Sequence, residues 1–271
     1  MTDTLRGLVV ALGLVAAAAG SLGAQVPFSY VTQEAGLPCV DKAFSLRVHF
    51  NDSESGPNGM TQAQFQENVD VANAAFAPIC VRFEVCEYLR VENYRYATHE
   101  RRDSLEQAIQ YGDPNRIDVF VTERDSLSFV CGRSSQGGFA YESQASVMIT
   151  DNCQSANRLA HELGHYFGLY DTFERRFGRE LVNGDSCQFL GDLICDTPAD
   201  PYIEGAMIVW TGDPDDPCRF TFEGVDRNGQ YYVPHTANAM SSYSAECRCG
   251  FTREQLAVMA RNAATTLRGI W

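Results

Sequence analysis

Phe44 to Phe50 alternates apolar with polar side chains, the two-residue period of a half-buried strand. After a Gly/Ser/Asp-rich stretch at 51–59, Thr61 and Gln64 stand at capping-box spacing. Phe65, Val69, Ala72 and Phe76 then follow at helical spacing, which predicts an amphipathic helix that stops at Pro78. Ile79, Val81, Phe83 and Val85 alternate with Arg82 and Glu84 and predict a second strand. Ile117 to Val121, Gly138 to Tyr141 and Ser146 to Thr150 are further strand candidates. Ser155 is placed to cap a helix that turns Leu159 and Leu163 inward. From 172 to 250 the periodicity fades into Gly, Pro, Asp and Cys. Thr252 with Gln255 opens a last helix, with Leu256, Met259, Ala260, Ala263 and Leu267 inward. The predicted class is α+β: a twisted mixed sheet with a backing helix and an active-site helix, then an irregular, disulfide-rich C-terminal subdomain ending in a helix.

A chain of 271 residues, 45% hydrophobic, can bury a substantial core as one large domain or two modest ones. Its formal charge of -14 speaks against a general nucleic-acid binder, which needs a basic face. Arg6, the apolar run from Gly7 to Gly20 and the small residues from Ser21 to Ala24 read as a signal peptide over 1–24. That run is shorter than the ~20 residues of a membrane span, so no stable anchor is expected. Residues 25–43 form a short N-terminal segment before the main domain at 44–271. The expected product is a secreted monomer, extracellular or periplasmic. Ten cysteines agree with export and suggest disulfides. Cys247 and Cys249 are too close for a zinc knuckle and read as two bridge partners. Cys39 is either another bridge partner or a zinc-ligating latency switch.

The chemistry concentrates in the eleven residues from His161 to Asp171. Two histidines four apart share one helical face and can bind one cation. Glu162 can reach a metal-activated water as general base. Gly168 can adopt positive φ and swing Asp171 back as a third ligand, leaving a fourth position open. A non-catalytic secreted zinc-binding protein is the alternative reading.

This motif resembles the metzincin clan, in which a glycine turn and a Met-turn follow two zinc-binding histidines. Gly168 to Phe173, Gly191 to Pro198, and Asn238 to Tyr243 with Phe251 to Gln255 are similar to the pappalysin (cytophagalysin-type) family. The resemblance implies a zinc endopeptidase acting on proteins or peptides. Its upper half would run to about 170 and its lower half over 171–271, with substrate paired to an edge strand at Gly138 to Tyr141 or the strand after it. It also implies Met240 as a floor under the metal and calcium near Asp192, Asp196 and Thr197. The family's tyrosine stands at the second position after this Met, which here is Ser242, so the oxyanion donor would be Tyr243, one residue later. Glu246 would then favour a basic residue after the scissile bond. The third ligand departs from the family: Asp171 stands where His is usual, as in the snapalysins, and His235 is the substitute if Asp171 does not bind.

Overall fold

A computed structural model describes residues 36–99, 103–125, 132–134, 146–151, 155–201, 216, 218–244 and 246–270. The signal segment and the strand expected at Gly138 to Tyr141 lie outside these residues. The first strand, β1 (Lys42–Asn51), turns Phe44, Leu46, Val48 and Phe50 to one face and buries all four. Helix α1 (Gln62–Phe76) follows under the expected capping box: Gln64 N–H donates to Thr61 Oγ1 at 3.2 Å, and Thr61 N–H to Gln64 Oε1 at 2.9 Å. It ends where Pro78 enters a short 3-10 turn, and Cys80 then reverses the chain at φ 55°. β2 (Val81–Val91), the short β3 (Thr98–His99), α2 (Asp103–Tyr111), β4 (Ile117–Thr122), β5 (Arg124–Asp125), β6 (Gly132–Ser134) and β7 (Ser146–Thr150) complete the first part.

The main sheet has the order β2-β1-β4-β7-β6. Its first four strands are parallel, and β6 joins β7 antiparallel. The sheet is thus mixed, as expected. One expectation is corrected: Ser146 to Thr150 is not an edge, because β6 occupies the free side of that strand.

One face packs on α1 and on α3 (Arg158–Tyr166), through Ile117, Val119, Val121, Val147 and Ile149. Phe167, directly after α3, sits edge-on to Phe44, Phe76 and Phe83 at 5.1, 5.2 and 5.8 Å between ring centres. Phe167→Ala is expected to cost about 3–5 kcal/mol in chemical denaturation, the usual range for a buried ring. The opposite face carries a buried His49–Asp118 pair at 2.7 Å and is covered by α2, where Arg47 reaches Tyr111 O. That second covering helix was not predicted.

Ser155 does not cap α3. Asn157 holds that position, while Ser155 receives the N–H groups of Asn157 and Arg158 one turn earlier. Beyond α3 the described chain is irregular until α4 (Arg253–Ala264), which opens on the Thr252–Gln255 capping box. Among the described residues, disulfides join Cys39–Cys80, Cys187–Cys195 and Cys218–Cys247. Cys249 is an exposed free thiol, against expectation, because Cys218 can bond only once and Cys247 takes it. Cys39, being bridged, has no thiol to offer a metal.

Candidate metal centre

α3 sends His161 and His165 out of one face, one turn apart, with Leu159 and Leu163 fully buried behind them. At Gly164 the helix backbone descends onto Met240, and any Cβ there would collide with the Met240 sulfur. Met240 is 0% exposed and packs under this turn. The helix then stops. Gly168 N–H returns to His165 O at 2.8 Å with φ 97°, a conformation side chains resist. The reversal brings Asp171 Oδ1 to 3.4 Å from Nε2 of both His161 and His165. These three donors lie within 4.8 Å of one another, and among the described residues they form the one such cluster. His235 is not part of it.

The far ring nitrogens fix the tautomers. His161 Nδ1 lies 2.7 Å from Ala239 O, and His165 Nδ1 lies 2.9 Å from Leu169 O. A carbonyl can only accept, so each Nδ1 carries the proton and each Nε2 presents a lone pair. Two imidazoles and a carboxylate with a fourth direction left over form a donor set that fits catalytic zinc. Burial, then the charges of His165 and Arg248, hold the His161 ring far below its ordinary pKa. Burial also opposes charge on His165, but Asp171 outweighs it and raises that ring. The Asp171 carboxyl, which burial alone would raise, is lowered by the same histidine. A cation at this point takes the place of the proton they share. Glu162, 4% exposed, follows the first ligand on α3.

Tyr243 is buried, and its phenol donates to Asp200 Oδ1 at 2.6 Å. Thr172 Oγ1 donates to the other Asp200 oxygen at 2.5 Å. Asp200 thus ties the residue after Asp171 to the segment after Met240, and Thr172 N–H adds a bond to Met240 O at 3.1 Å. Burial and the Asp200 carboxylate push the phenol far up, fixing it as a donor.

Of the calcium candidates, Asp192 and Thr197 meet: Thr197 Oγ1 donates to both Asp192 oxygens, at 3.0 and 2.9 Å. Asp196 turns elsewhere and accepts the Glu254 N–H at the start of α4. Glu180 joins the group instead, with its Oε2 buried and lacking a hydrogen-bond partner. Gly191 makes room for it, since a Cβ there would stand 2.7 Å from that oxygen. Burial, then Asp192 and Asp200, raise Glu180 to about 8; burial raises Asp192 to about 7. Glu246 is exposed on a turn. Sequence reasoning missed Glu180, Asp200 and Arg248. Arg248 offered one signal, a cation beside two cysteines just past the Met240 segment.

No family model matches the chain. It is 26% identical over 157 residues to an extracellular metalloprotease of Verticillium alfalfae, covering 52% of this chain and 51% of that protein. It is 21% identical over 225 residues to an extracellular metalloprotease of Arthroderma benhamiae, covering 72% and 77%. The chain is therefore a distant relative of fungal extracellular metalloproteases, and spans about half the length of the first of these two (51%). Metalloproteinase-II from Bacteroides fragilis superimposes with a TM-score of 0.36 at 10% identity, over 62% of this chain and 52% of that one. Among the described residues no helix is long and apolar enough to cross a membrane.

Proposed function

We propose that this chain is a secreted zinc endopeptidase of pappalysin type, acting on proteins outside the cell. One observation carries the reading: His161, His165 and Asp171 converge while two backbone carbonyls hold both imidazoles in the ligating tautomer. Glu162 beside the first ligand and the extracellular metalloproteases among its distant relatives support it. Zinc bound there supplies an electrophile that acidifies a water and polarises a peptide carbonyl. Glu162 takes the water's proton and hands it to the leaving nitrogen. Asp171 and the histidines hold their positions through Thr172, Ala239 and Leu169. Tyr243, whose proton Asp200 holds, supports the segment under the site rather than the oxyanion. Among the described residues β6 is the edge of the sheet, the side on which an extended substrate would pair. A mixed peptide library incubated with zinc-loaded protein, with and without 1,10-phenanthroline, tests the reading. Chelator-sensitive internal cleavage restored by zinc supports it, and intact peptides after incubation with folded, zinc-loaded protein overturn it.

We place calcium at Glu180, Asp192 and Thr197, where buried oxygens of a hard-ligand type gather. The pH dependence follows from the raised carboxyls. A carboxyl raised in the folded state from ~4 binds its proton more tightly than in the unfolded chain. Its stabilising share is therefore full at low pH and is lost as pH rises through about 7 for Asp192 and about 8 for Glu180. Without calcium the melting temperature should fall between pH 5 and pH 8. Excess calcium should reverse that fall, and an unchanged melt at pH 8 on adding calcium would reject the site.

A further inference from the structure

Arg248 sits on the segment that follows Met240, and its position is fixed from both sides. Cys247 is bridged to Cys218, and Cys249 N–H bonds Ala237 O at 2.9 Å. The side chain is also oriented, because its Nε donates to Tyr243 O at 3.2 Å. Tyr243 is in turn held by Asp200. One of the five guanidinium N–H groups is thereby used, and it fixes the plane of the fork. Among the described residues the terminal nitrogens have no hydrogen-bond partner, and no carboxylate lies within ion-pair distance.

That lack of a partner is unusual for a half-buried arginine, whose desolvation a carboxylate normally offsets. It is more unusual in a chain with 35 acidic residues against 21 basic ones. The charge still stands close to the metal centre: Glu162 and Asp171 act on Arg248, and Arg248 acts on His161. Both of those acids already have roles there, one as base and one as ligand. Glu246, two residues earlier, is exposed and does not compete.

We infer that the free fork of Arg248 receives a substrate carboxylate next to the scissile bond, supplied by an acidic side chain or by the peptide's own C-terminus. A planar fork with two parallel donors matches a carboxylate and does not match an amide or an ammonium. The inference rests on the hydrolase reading and sharpens it: the site selects acidic substrates, where Glu246 alone would have suggested basic ones.

The test uses zinc-loaded protein and matched peptides with Glu, Gln or Lys on either side of the cleaved bond, each with a free or amidated C-terminus. If a side chain supplies the carboxylate, kcat/KM for Glu should exceed that for Gln by roughly 10- to 100-fold with the C-terminus amidated, the worth of a hydrogen bond to a charged group. If the C-terminus supplies it, the free acid should exceed the amide by a similar factor whatever the side chain. R248Q should erase the gap, read as the ratio of Glu to Gln rates and of free-acid to amide rates on the same variant protein. R248K should restore only part of it, because an ammonium cannot reproduce the fork. Equal rates for all these peptides overturn the inference and leave the hydrolase reading standing. Calorimetric binding of the same peptides to the Glu162→Gln protein supplies the second readout. Carboxylate-selective binding that R248Q removes, without turnover of any peptide by the parent, would reject the hydrolase and keep the carboxylate site. Binding without such selectivity rejects the site.

Discussion

Glu162→Gln should lower peptide hydrolysis by about 10²–10⁴-fold, the range that a positioned proton acceptor contributes. The substitution keeps the shape of a side chain that is 4% exposed on α3, so packing against the helix is preserved. It also leaves the ligand set untouched. His161 and His165 keep their bonds to Ala239 O and Leu169 O, and Asp171 still meets both Nε2 atoms. The variant should therefore bind one zinc per chain, melt close to the parent protein and fail in kcat. Zinc content, a thermal melt and kcat on one cleaved peptide decide the matter together. Activity within tenfold of the parent, with zinc bound, would move the base away from Glu162.

Removing the third ligand should do comparable harm by a different route. In Asp171→Ala the histidines lose the carboxylate that lies 3.4 Å from each of them. Loss of a supporting partner one bond removed already costs roughly 10–100-fold in metal affinity, so loss of a direct ligand should cost more than ~100-fold. Activity at limiting zinc should fall with it. Asp171→His should recover part of the affinity, since imidazole is an equally good zinc ligand. Competition against a chromophoric chelator gives the affinities. An Asp171→Ala protein that binds zinc as tightly as the parent would show that another residue completes the site.

Much of this was legible because the signals are local. The two capping boxes announced α1 and α4, and alternation marked β1 and the first half of β2. The apolar run at Ile117 to Val121 and the candidate at Ser146 to Thr150 coincide with β4 and β7. His161, His165 and Asp171 sit inside one helix and its exit turn, so a short stretch of sequence carries the geometry of the candidate site. What escaped the sequence is joined across long separations. Tyr243 and Asp200 meet over 43 positions. Glu180 reaches Gly191 only after the irregular loop closes. α2 was missed because Asp103 to Tyr111 contains few large apolar residues to mark an inward stripe. The three-residue β6 is too short to show a period. Which cysteines pair is a question of proximity that no spacing answers.

The Ala239 carbonyl that sets the His161 tautomer belongs to a segment fastened by a residue of α4. Asn238 accepts the Met240 N–H at 2.8 Å and is itself gripped by Gln255, through bonds of 3.0 and 3.3 Å. Gln255 also closes the cap of α4, accepting the Thr252 N–H at 2.9 Å. During synthesis the three candidate donors leave the ribosome about eighty to ninety residues before Gln255 does. Until then they have no finished floor and no fixed proton on His161. Assembly of the candidate site therefore waits on Gln255, and the order of synthesis alone delays it.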